Sequence, residues 1–150
     1  MSIAAVQRQL STSPGGIVEL RSYFTQLCES LGASMIADED RLSISVTVDD
    51  SAVDADVSIS LGLIVTELVI NALKHAFQKQ ETGRIVIDYH STGTDWTLIV
   101  IDNGVGMPAG SDAPKPGLGT GIVEALAKQL GASVRQEAAK PGTLISIVHV

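Results

Sequence analysis

The sequence predicts an α+β fold, a two-layer sandwich in which a mixed, mostly antiparallel sheet is covered on one face by helices. Two patterns predict it. In some segments apolar residues recur at helical spacing, and in others they alternate with polar residues as in half-buried strands. The two kinds of segment are interleaved, but without the regular alternation of strand and helix that marks a parallel sheet.

The N-terminal half is predicted to contain helices around one strand. Residues 2–10 have helical residue types, and a Pro-Gly-Gly break follows at 14–16. Residues 42–48 alternate and predict a strand, and residues 58–78 form the longest helical candidate. Between the break and a helix end near Gly32, one apolar helix face is formed by Ile17, Leu20, Phe24, Leu27 and Leu31.

The C-terminal half is predicted to be richer in strands. Alternation predicts strands over residues 84–90, 96–102, 134–136 and 144–150. The short segment 91–94 joins the first two as a hairpin. A loop over residues 103–116 and a helix from Leu118 to Gly131 precede the last two strands.

Composition bounds the class of protein. A chain of 150 residues that is 45% hydrophobic predicts one globular domain. The net charge of −7 argues against a general nucleic-acid surface, although magnesium and backbone N–H groups can still bind phosphate locally. No uncharged run is longer than about ten residues and no signal-peptide pattern begins the chain, so no membrane span is expected.

The single cysteine, Cys28, bears on the cellular compartment. One cysteine excludes an intrachain disulfide, which fits a reducing compartment, and we expect a cytoplasmic location. Cys28 lies beside the apolar face of its helix. We expect a half-buried and unreactive thiol there.

A polar stripe follows the helix predicted at 58–78. At about 100° per residue its members fall within a narrow arc, with His75 just beside it. A stripe that faces solvent is one interpretation, as in most amphipathic helices. A functional role is the other, because asparagine is a poor residue for the middle of a helix. The stripe consists of Glu67, Asn71, Lys74 and Gln78.

Two glycine-rich segments follow. Residues 102–106, Asp-Asn-Gly-Val-Gly, come after a strand, where the simplest interpretation is a β-turn. A functional site there would need a carboxylate that accepts from the amino group of a base, and glycines that let backbone approach a flat ring. Residues 117–121, Gly-Leu-Gly-Thr-Gly, open a helix whose N–H groups suit phosphate, or form a flexible loop. They match neither a Walker A loop nor a Rossmann turn.

Together the three segments resemble the nucleotide-binding motifs of the Bergerat-fold ATPases, a superfamily that includes histidine kinases, gyrase and mismatch-repair ATPases. Residues 67–75 are similar to the N box, residues 102–106 to the G1 box and residues 117–121 to the G2 box. Thr143 matches the threonine of a late strand, and the resemblance covers residues 17–150.

Finer features resemble one group of sensor histidine kinases. Leu-Lys-His-Ala-Phe at 73–77 and Ala-Lys-Gln-Leu-Gly at 127–131 look like a subfamily close to the HWE kinases. The Trp-x-Glu element that names the HWE kinases is absent, so the neighbouring group fits better.

The resemblance implies a role for each N-box residue. Asn71 would supply its carbonyl oxygen to Mg²⁺. Glu67 would be the catalytic residue that orients, or accepts a proton from, a water or an incoming nucleophile. Lys74 and His75 would approach the phosphates of ATP.

The resemblance likewise implies that the two glycine-rich boxes bind ATP or ADP. Asp102 would bind the adenine amino group, with the backbone of Gly104 and Gly106 and the side chain of Thr143 nearby. Residues 107–116 would form the lid. The residues along the phosphates would be Gly117, Leu118, Gly119, Thr120 and Gly121.

The resemblance also implies partners outside this chain. Residues 1–16 would be the remnant of a dimerisation helix and its linker, and residues 17–150 the ATP-binding catalytic domain. The three histidines are His75, in the N box, and His90 and His149, which are expected to be surface residues at strand ends. The acceptor histidine would therefore belong to a dimerisation domain that is lacking here, and a response regulator would follow. A full-length kinase of this type would be dimeric.

Two other functions stay open. A serine kinase of the anti-sigma-factor type shares the fold and would phosphorylate a serine of a partner protein. A non-enzymatic adaptor would have lost ATP binding, but Glu67, Asn71, Asp102 and the G2 glycines argue against that. The Lys-His-Ala-Phe segment at 74–77 favours the histidine kinase over the serine kinase.

Overall fold

A computed structural model describes residues 16–36, 41–75, 82–104, 118–138 and 142–150. Within these ranges the elements are β1 (Ile17–Glu19), α1 (Leu20–Met35), β2 (Leu42–Val48), β3 (Ala52–Asp54), α2 (Ala55–His75), β4 (Gly83–Thr92), β5 (Asp95–Asp102), α3 (Leu118–Gln129), β6 (Ala132–Ala138) and β7 (Thr143–His149).

The main sheet has five strands in the order β2-β4-β5-β7-β6. β2 is parallel to β4, and the other three pairs are antiparallel. α1 packs on β2, α2 packs against both α1 and α3, and α3 packs on β6. The predicted α+β sandwich with a mixed, mostly antiparallel sheet and helices on one face is therefore confirmed.

The core lies between the helices and the sheet. Leucine, isoleucine and valine side chains dominate it, as the low aromatic content of 3% requires. Full burial of one such side chain contributes about 1.5–3 kcal/mol relative to exposure, so these residues hold the helix layer on the sheet. Those with no exposed surface include Phe24, Leu27, Leu61, Ile64, Val69, Ile87, Leu98 and Ile147.

Helix α2 is long and apolar enough to cross a membrane by length and composition, since residues 55–74 contain an 18-residue stretch with a mean hydropathy of 1.7. From the sequence, no segment was expected to be able to span a membrane. Its packing is that of a core helix, because it contacts both other helices and its apolar side chains enter the core. Gly62 allows the close approach of α1, since a Cβ there would lie 1.9 Å from Tyr23 Oη.

A network of polar groups closes the corner between β2 and β3. Asp49 Oδ2 accepts from the Ser91 amide at 2.7 Å, and Asp49 Oδ1 accepts from the Ser51 amide at 3.0 Å. Burial raises the pKa of Asp49, but the hydrogen bonds from Ser51 and Ser91 outweigh it and hold the pKa below its ordinary value. The Leu20 amide donates to the Ser51 carbonyl at 3.1 Å, so the corner also fixes the start of α1.

Aromatic rings form a continuous row at one end of the sheet. Tyr23, Phe24 and Tyr89 follow each other with centroids 5.7 and 6.3 Å apart. Trp96 stacks on Tyr89 at 5.9 Å and on His149 at 5.6 Å. The prediction that His149 is a surface residue is wrong, because its ring is half-buried and its Nδ1 has no exposed surface. His90 is exposed as predicted, but it lies within β4 rather than at its end.

The N-terminal elements differ most from the sequence prediction. Ile17 does not lie on the helix face; it belongs to β1, which pairs with β3, and it is 52% exposed. Neither three-residue strand was predicted, because three residues are too few to show periodicity. Cys28 is buried rather than half-buried, at 5% exposure, and burial raises the pKa of its thiol to about 12.

The remaining boundaries shift by a few residues. α2 begins at Ala55, earlier than predicted. β6 is longer at both ends than the predicted 134–136, and β7 begins and ends one residue earlier than the predicted 144–150. The predicted hairpin is confirmed, with Thr92 paired to Asp95 and Gly93 at φ +63°. The predicted helix over 2–10, the end of the 58–78 helix after His75, and the loop after Gly104 lie outside the described residues.

Candidate functional site

The polar stripe of α2 lies on an otherwise buried helix. Glu67 and Asn71 are half-buried, and Lys74 is exposed near the helix end. The neighbouring Leu68 and Val69 belong to the core, which fixes the rotation of the helix. α2 packs against α3 and contacts β5, the two elements that carry the predicted G2 and G1 boxes. Folding therefore brings the three motif-bearing elements together as neighbours.

Asp102 is the last residue of β5 and is 9% exposed. Its Oδ1 accepts from the Gly104 amide at 3.0 Å. Burial raises the pKa of the Asp102 carboxyl, and hydrogen bonds from the backbone amides of Gly104 and Thr143 partly offset that shift. A buried acceptor at a strand end, oriented by two backbone amides, is suited to a polar hydrogen donor of a ligand.

Gly142 brings the start of β7 against the end of β5. Its φ is +103°, and a Cβ at this position would lie 1.8 Å from the Asp102 carbonyl oxygen and 2.9 Å from Asn103 Cα. Only glycine allows this approach. Thr143, the next residue, is the register partner of Asp102 and is half-buried. Gly142 was not predicted as a site residue; its position directly before Thr143 was the available signal.

Asn103 connects the end of β5 to β4 through hydrogen bonds. Its Oδ1 accepts from the Arg84 amide at 2.7 Å, and its own amide donates to the Arg84 carbonyl at 3.2 Å. Both hydrogen bonds lie just beyond the last register pair, Ile85 with Asp102. They hold the peptide that follows Asp102, so this asparagine of the predicted G1 box has a structural role.

The start of α3 has backbone N–H groups that could bind an anion. The helix begins at Leu118, and Gly121 in its first turn is exposed, with no heavy atom within 4 Å of a Cβ built there. The first N–H groups of a helix have no intrahelical acceptor, and the helix dipole makes them favourable for anions. The first turn, whose backbone includes Gly119 and Thr120, therefore offers donors for phosphate, with open space at Gly121.

Some predicted site residues cannot be compared with the structure. Gly106 and Gly117 lie outside the described residues. His75, the last residue of α2, and Leu118, Gly119 and Thr120, at the start of α3, are described only through their backbone. The residues that folding does bring together are Asp102, Gly104 and Thr143 at one end of the sheet. In addition, the described parts of α2 and α3 pack against each other.

The donor set fits a magnesium ion that is shared with phosphate. Among the described residues there is no group of three His, Cys, Asp or Glu side chains that could hold a metal alone. Asn71 offers a neutral amide oxygen on a half-buried site. Mg²⁺ is commonly held by one or two protein oxygens together with substrate phosphates and waters, so this arrangement is compatible with it.

Comparison with known sequences identifies a family. Residues 10–148 match the histidine kinase-like ATPase domain family. Blue-light-activated histidine kinase 2 of Erythrobacter litoralis is 30% identical over 87% of this chain and 38% of its own length. Sensor histidine kinase PdtaS of Mycobacterium tuberculosis is 31% identical over 83% of this chain and 25% of its own length. The chain thus spans well under half of these curated relatives.

Solved structures agree in fold. The histidine kinase domain of the Erythrobacter litoralis EL346 blue-light activated histidine kinase superposes with a TM-score of 0.82 at 23% identity, over 96% of this chain and 69% of that one. The mycobacterial sensor histidine kinase MprB gives 0.67 at 24% identity, over 89% of this chain and 95% of that one. At these identities the likeness shows the fold alone. Since the family match covers nearly the whole sequence, the chain belongs to the histidine kinase-like ATPase domain family.

Proposed function

We propose that the chain is the Mg-ATP-binding catalytic domain of a sensor histidine kinase. It transfers the γ-phosphate of ATP to a histidine of a dimerisation domain that is a separate segment. The observation that carries the proposal is Asp102, a buried carboxylate at the end of β5 that two backbone amides orient. The histidine kinase names of the relatives support the reaction type.

Recognition of adenine rests on Asp102. Its carboxylate accepts a hydrogen bond from the exocyclic amino group, while guanine presents a carbonyl oxygen at that position, which the carboxylate repels. Burial makes this discrimination stronger than it would be in water. Gly142 allows the backbone to come close enough to hold the Asp102–Asn103 peptide in place.

The phosphates lie between α2 and the start of α3 in this proposal. Leu118 to Gly121 donate backbone N–H groups, and Lys74 adds a positive charge near the end of α2. Asn71 holds Mg²⁺, which neutralises charge on the phosphate oxygens. Glu67 orients the incoming nucleophile and accepts its proton. His75, Gly106 and Gly117 complete the contacts to the nucleotide.

Partners and location follow from the reaction. A histidine kinase passes its phosphoryl group to a response regulator, and its acceptor domain supplies the dimer. We place the reaction in the cytoplasm, where ATP is available and Cys28 stays reduced. A serine kinase or a silent adaptor with this fold is less well supported, since the relatives above are named histidine kinases.

Calorimetric titration with Mg-ATP and Mg-ADP tests the nucleotide site. One site is expected. Asn71→Ala should abolish the magnesium dependence of binding, and Asp102→Asn should reduce the preference for adenine over guanine. Gln129→Ala is the matched control for the first change, because it removes an exposed carboxamide at the far end of α3. Absence of heat up to about 1 mM nucleotide, which corresponds to −4.1 kcal/mol, would contradict the proposal.

Phosphotransfer needs a second assay. The chain alone is expected not to label itself with radioactive ATP. Addition of a dimerisation helix pair that carries an acceptor histidine should yield acid-labile, base-stable label on that pair. Acid-stable, base-labile label on a serine of a partner protein would favour the serine kinase instead. Acid-labile label on this chain alone would show that one of its own histidines is the acceptor.

A further inference from the structure

The face of the main sheet that is opposite to the helices, called the outer face below, carries an aliphatic cluster. In β4, β5 and β7 the residues alternate between the core and this face, as the burial of Ile85, Ile87 and Tyr89 shows. The aliphatic side chains between them are partly buried, but they do not belong to the residues that pack against the helix-side core. They are Val86, Ile99, Ile101, Leu144 and Val148.

Strand register makes this cluster contiguous. Val86 pairs with Ile101, which pairs with Leu144, so three aliphatic side chains lie side by side across β4, β5 and β7. Ile99 is in the next cross-strand row and Val148 in the row after it. The cluster therefore occupies the centre of the outer face, where the core of a protein interface is expected to be apolar.

Charged residues flank the cluster in a particular order. One cross-strand row runs Asp88, Ile99, Ser146, Arg135 from β4 to β6. Its first and last members, Asp88 and Arg135, carry opposite charges on the strands on either side of the central β5–β7 pair, and beyond Asp88 the row continues to Thr47 of β2. Asp88 forms an ion-pair contact with an exposed histidine, His90, at 3.4 Å, and its own side chain is 40% exposed, so its carboxylate lies near solvent.

This order is self-complementary. A two-fold axis that runs parallel to the strands, between β5 and β7, exchanges β4 with β6 and leaves each cross-strand row in place. Two copies related by that axis bring Asp88 of each against Arg135 of the other, twice per dimer, and place Ile101 over Leu144. Their strands are then aligned, as packed sheets prefer, within about 30°. An axis perpendicular to the strands would instead oppose Asp88 with Asp88 and Arg135 with Arg135.

We propose that two copies of this chain associate through the outer face, with two Asp88–Arg135 pairs at the rim and the aliphatic cluster at the centre. The self-complementary charges favour a second copy over an unrelated partner as the occupant. The Asp102 side chain points to the opposite side of the sheet, in phase with the core residues Leu98 and Val100. The association therefore leaves the nucleotide site accessible and adds a contact between copies independent of any dimerisation helix.

Sedimentation equilibrium of the full chain tests the proposal. The mass is expected to rise from 15.7 kDa toward twice that value as concentration increases to about 1 mM, a range that detects dissociation constants as weak as about 1 mM. Asp88→Arg and Arg135→Asp should each raise the dimer dissociation constant about ten-fold or more, because both pairs become like-charged. Ile101→Thr, which keeps a β-branched residue in the strand, should also weaken the dimer.

The combined exchange of both charges is the decisive variant. A chain with Asp88→Arg and Arg135→Asp restores two attractive pairs and should regain the dissociation constant of the unaltered chain. Association through residues 2–10 or through the helices would not show this rescue. Glu124→Arg is the matched control, because it reverses an exposed charge on α3 and should leave association unchanged. Circular dichroism shows that each variant is folded.

Two results would overturn the proposal. One is a mass that stays at 15.7 kDa over the whole concentration range. The other is a dimer whose dissociation constant is the same for the single exchanges and the double exchange, which would place the contact elsewhere. Neither result bears on nucleotide binding, so failure of this proposal and failure of the proposed kinase function are distinguishable.

Discussion

Gly142→Ala is expected to destabilise the fold and weaken nucleotide binding together. Real Cβ atoms essentially never come within 3.0 Å of a heavy atom outside their own and the adjoining residues, but the new Cβ would lie 1.8 Å from the Asp102 carbonyl oxygen. The start of β7 and the end of β5 must therefore separate by 1.2 Å or more, the difference between those two distances. The neighbour that must move is backbone, so rotation of a flexible side chain cannot relieve the contact.

The energetic cost has two parts. The left-handed backbone at φ +103° costs about 1–2 kcal/mol for a residue with a Cβ. Overpacking against the Asp102–Asn103 peptide adds about 1–3 kcal/mol. We expect a loss of roughly 2–5 kcal/mol in the free energy of unfolding, the sum of the costs of strain and overpacking. Displacement of Asp102 should also weaken ADP binding about ten-fold, or about 1.4 kcal/mol.

Gly93→Ala is a control that separates the cost of backbone strain from the cost of overpacking. Gly93 lies in the β4–β5 turn at φ +63°, with nothing within 4 Å of its Cβ, so only the backbone strain applies there. Urea unfolding should show a smaller loss for this control, about 1–2 kcal/mol, and calorimetry should show unchanged ADP affinity. If Gly142→Ala matches Gly93→Ala in both measurements, the close approach at Asp102 does not matter and the reasoning is refuted.

Three further predictions concern titratable groups. Asp102→Asn is expected to keep or raise the free energy of unfolding at pH 7 while adenine selectivity falls, because burial disfavours the ionised carboxylate; a large loss of stability in urea unfolding would contradict this. Asp49→Asn should destabilise the fold above the ordinary pKa of 3.8, and the difference from the unaltered chain should vanish as pH falls through the lower folded pKa; a pH-independent difference would contradict it. The Cys28 thiol, with a pKa of about 12, should react with a disulfide reagent at pH 8 only after denaturation, and rapid labelling of the folded chain would disprove its burial.

Periodicity was sufficient to predict most of the fold. The alternation in residues 84–90 and 96–102 placed the correct side chains on each face of β4 and β5, because one face of this sheet is buried and the other is not. The long helix α2 was predicted because its apolar residues recur at helical spacing and cover most of the helix surface outside the polar stripe. The strands β1 and β3 were missed since three residues carry no period, and Ile17 was misassigned because its spacing happened to fit the helix that follows.

The site was less accessible to sequence reasoning. Asp102 was singled out because the Asp-Asn-Gly-Val-Gly segment follows a strand and resembles the G1 box, and in the structure its side chain is buried at the end of β5. Gly142 was not singled out, because the residues around it are ordinary turn residues, and only the β5–β7 register shows which backbone it must approach. The burial of His149 likewise depends on stacking against Trp96 across the sheet, a contact between residues far apart in sequence.

The aromatic row gives the chain a built-in optical reporter. Trp96 is the single tryptophan and stands at the opposite end of β5 from Asp102, six residues or about 20 Å away at the rise of a strand. It is sandwiched between Tyr89 and His149, so its fluorescence responds to loss of the stacked rings on unfolding. A nucleotide at the proposed site, beside Asp102, would lie at the other end of the strand and should leave those rings in place. Intrinsic emission at Trp96 therefore follows unfolding, and an unlabelled nucleotide at the proposed site should leave it unchanged.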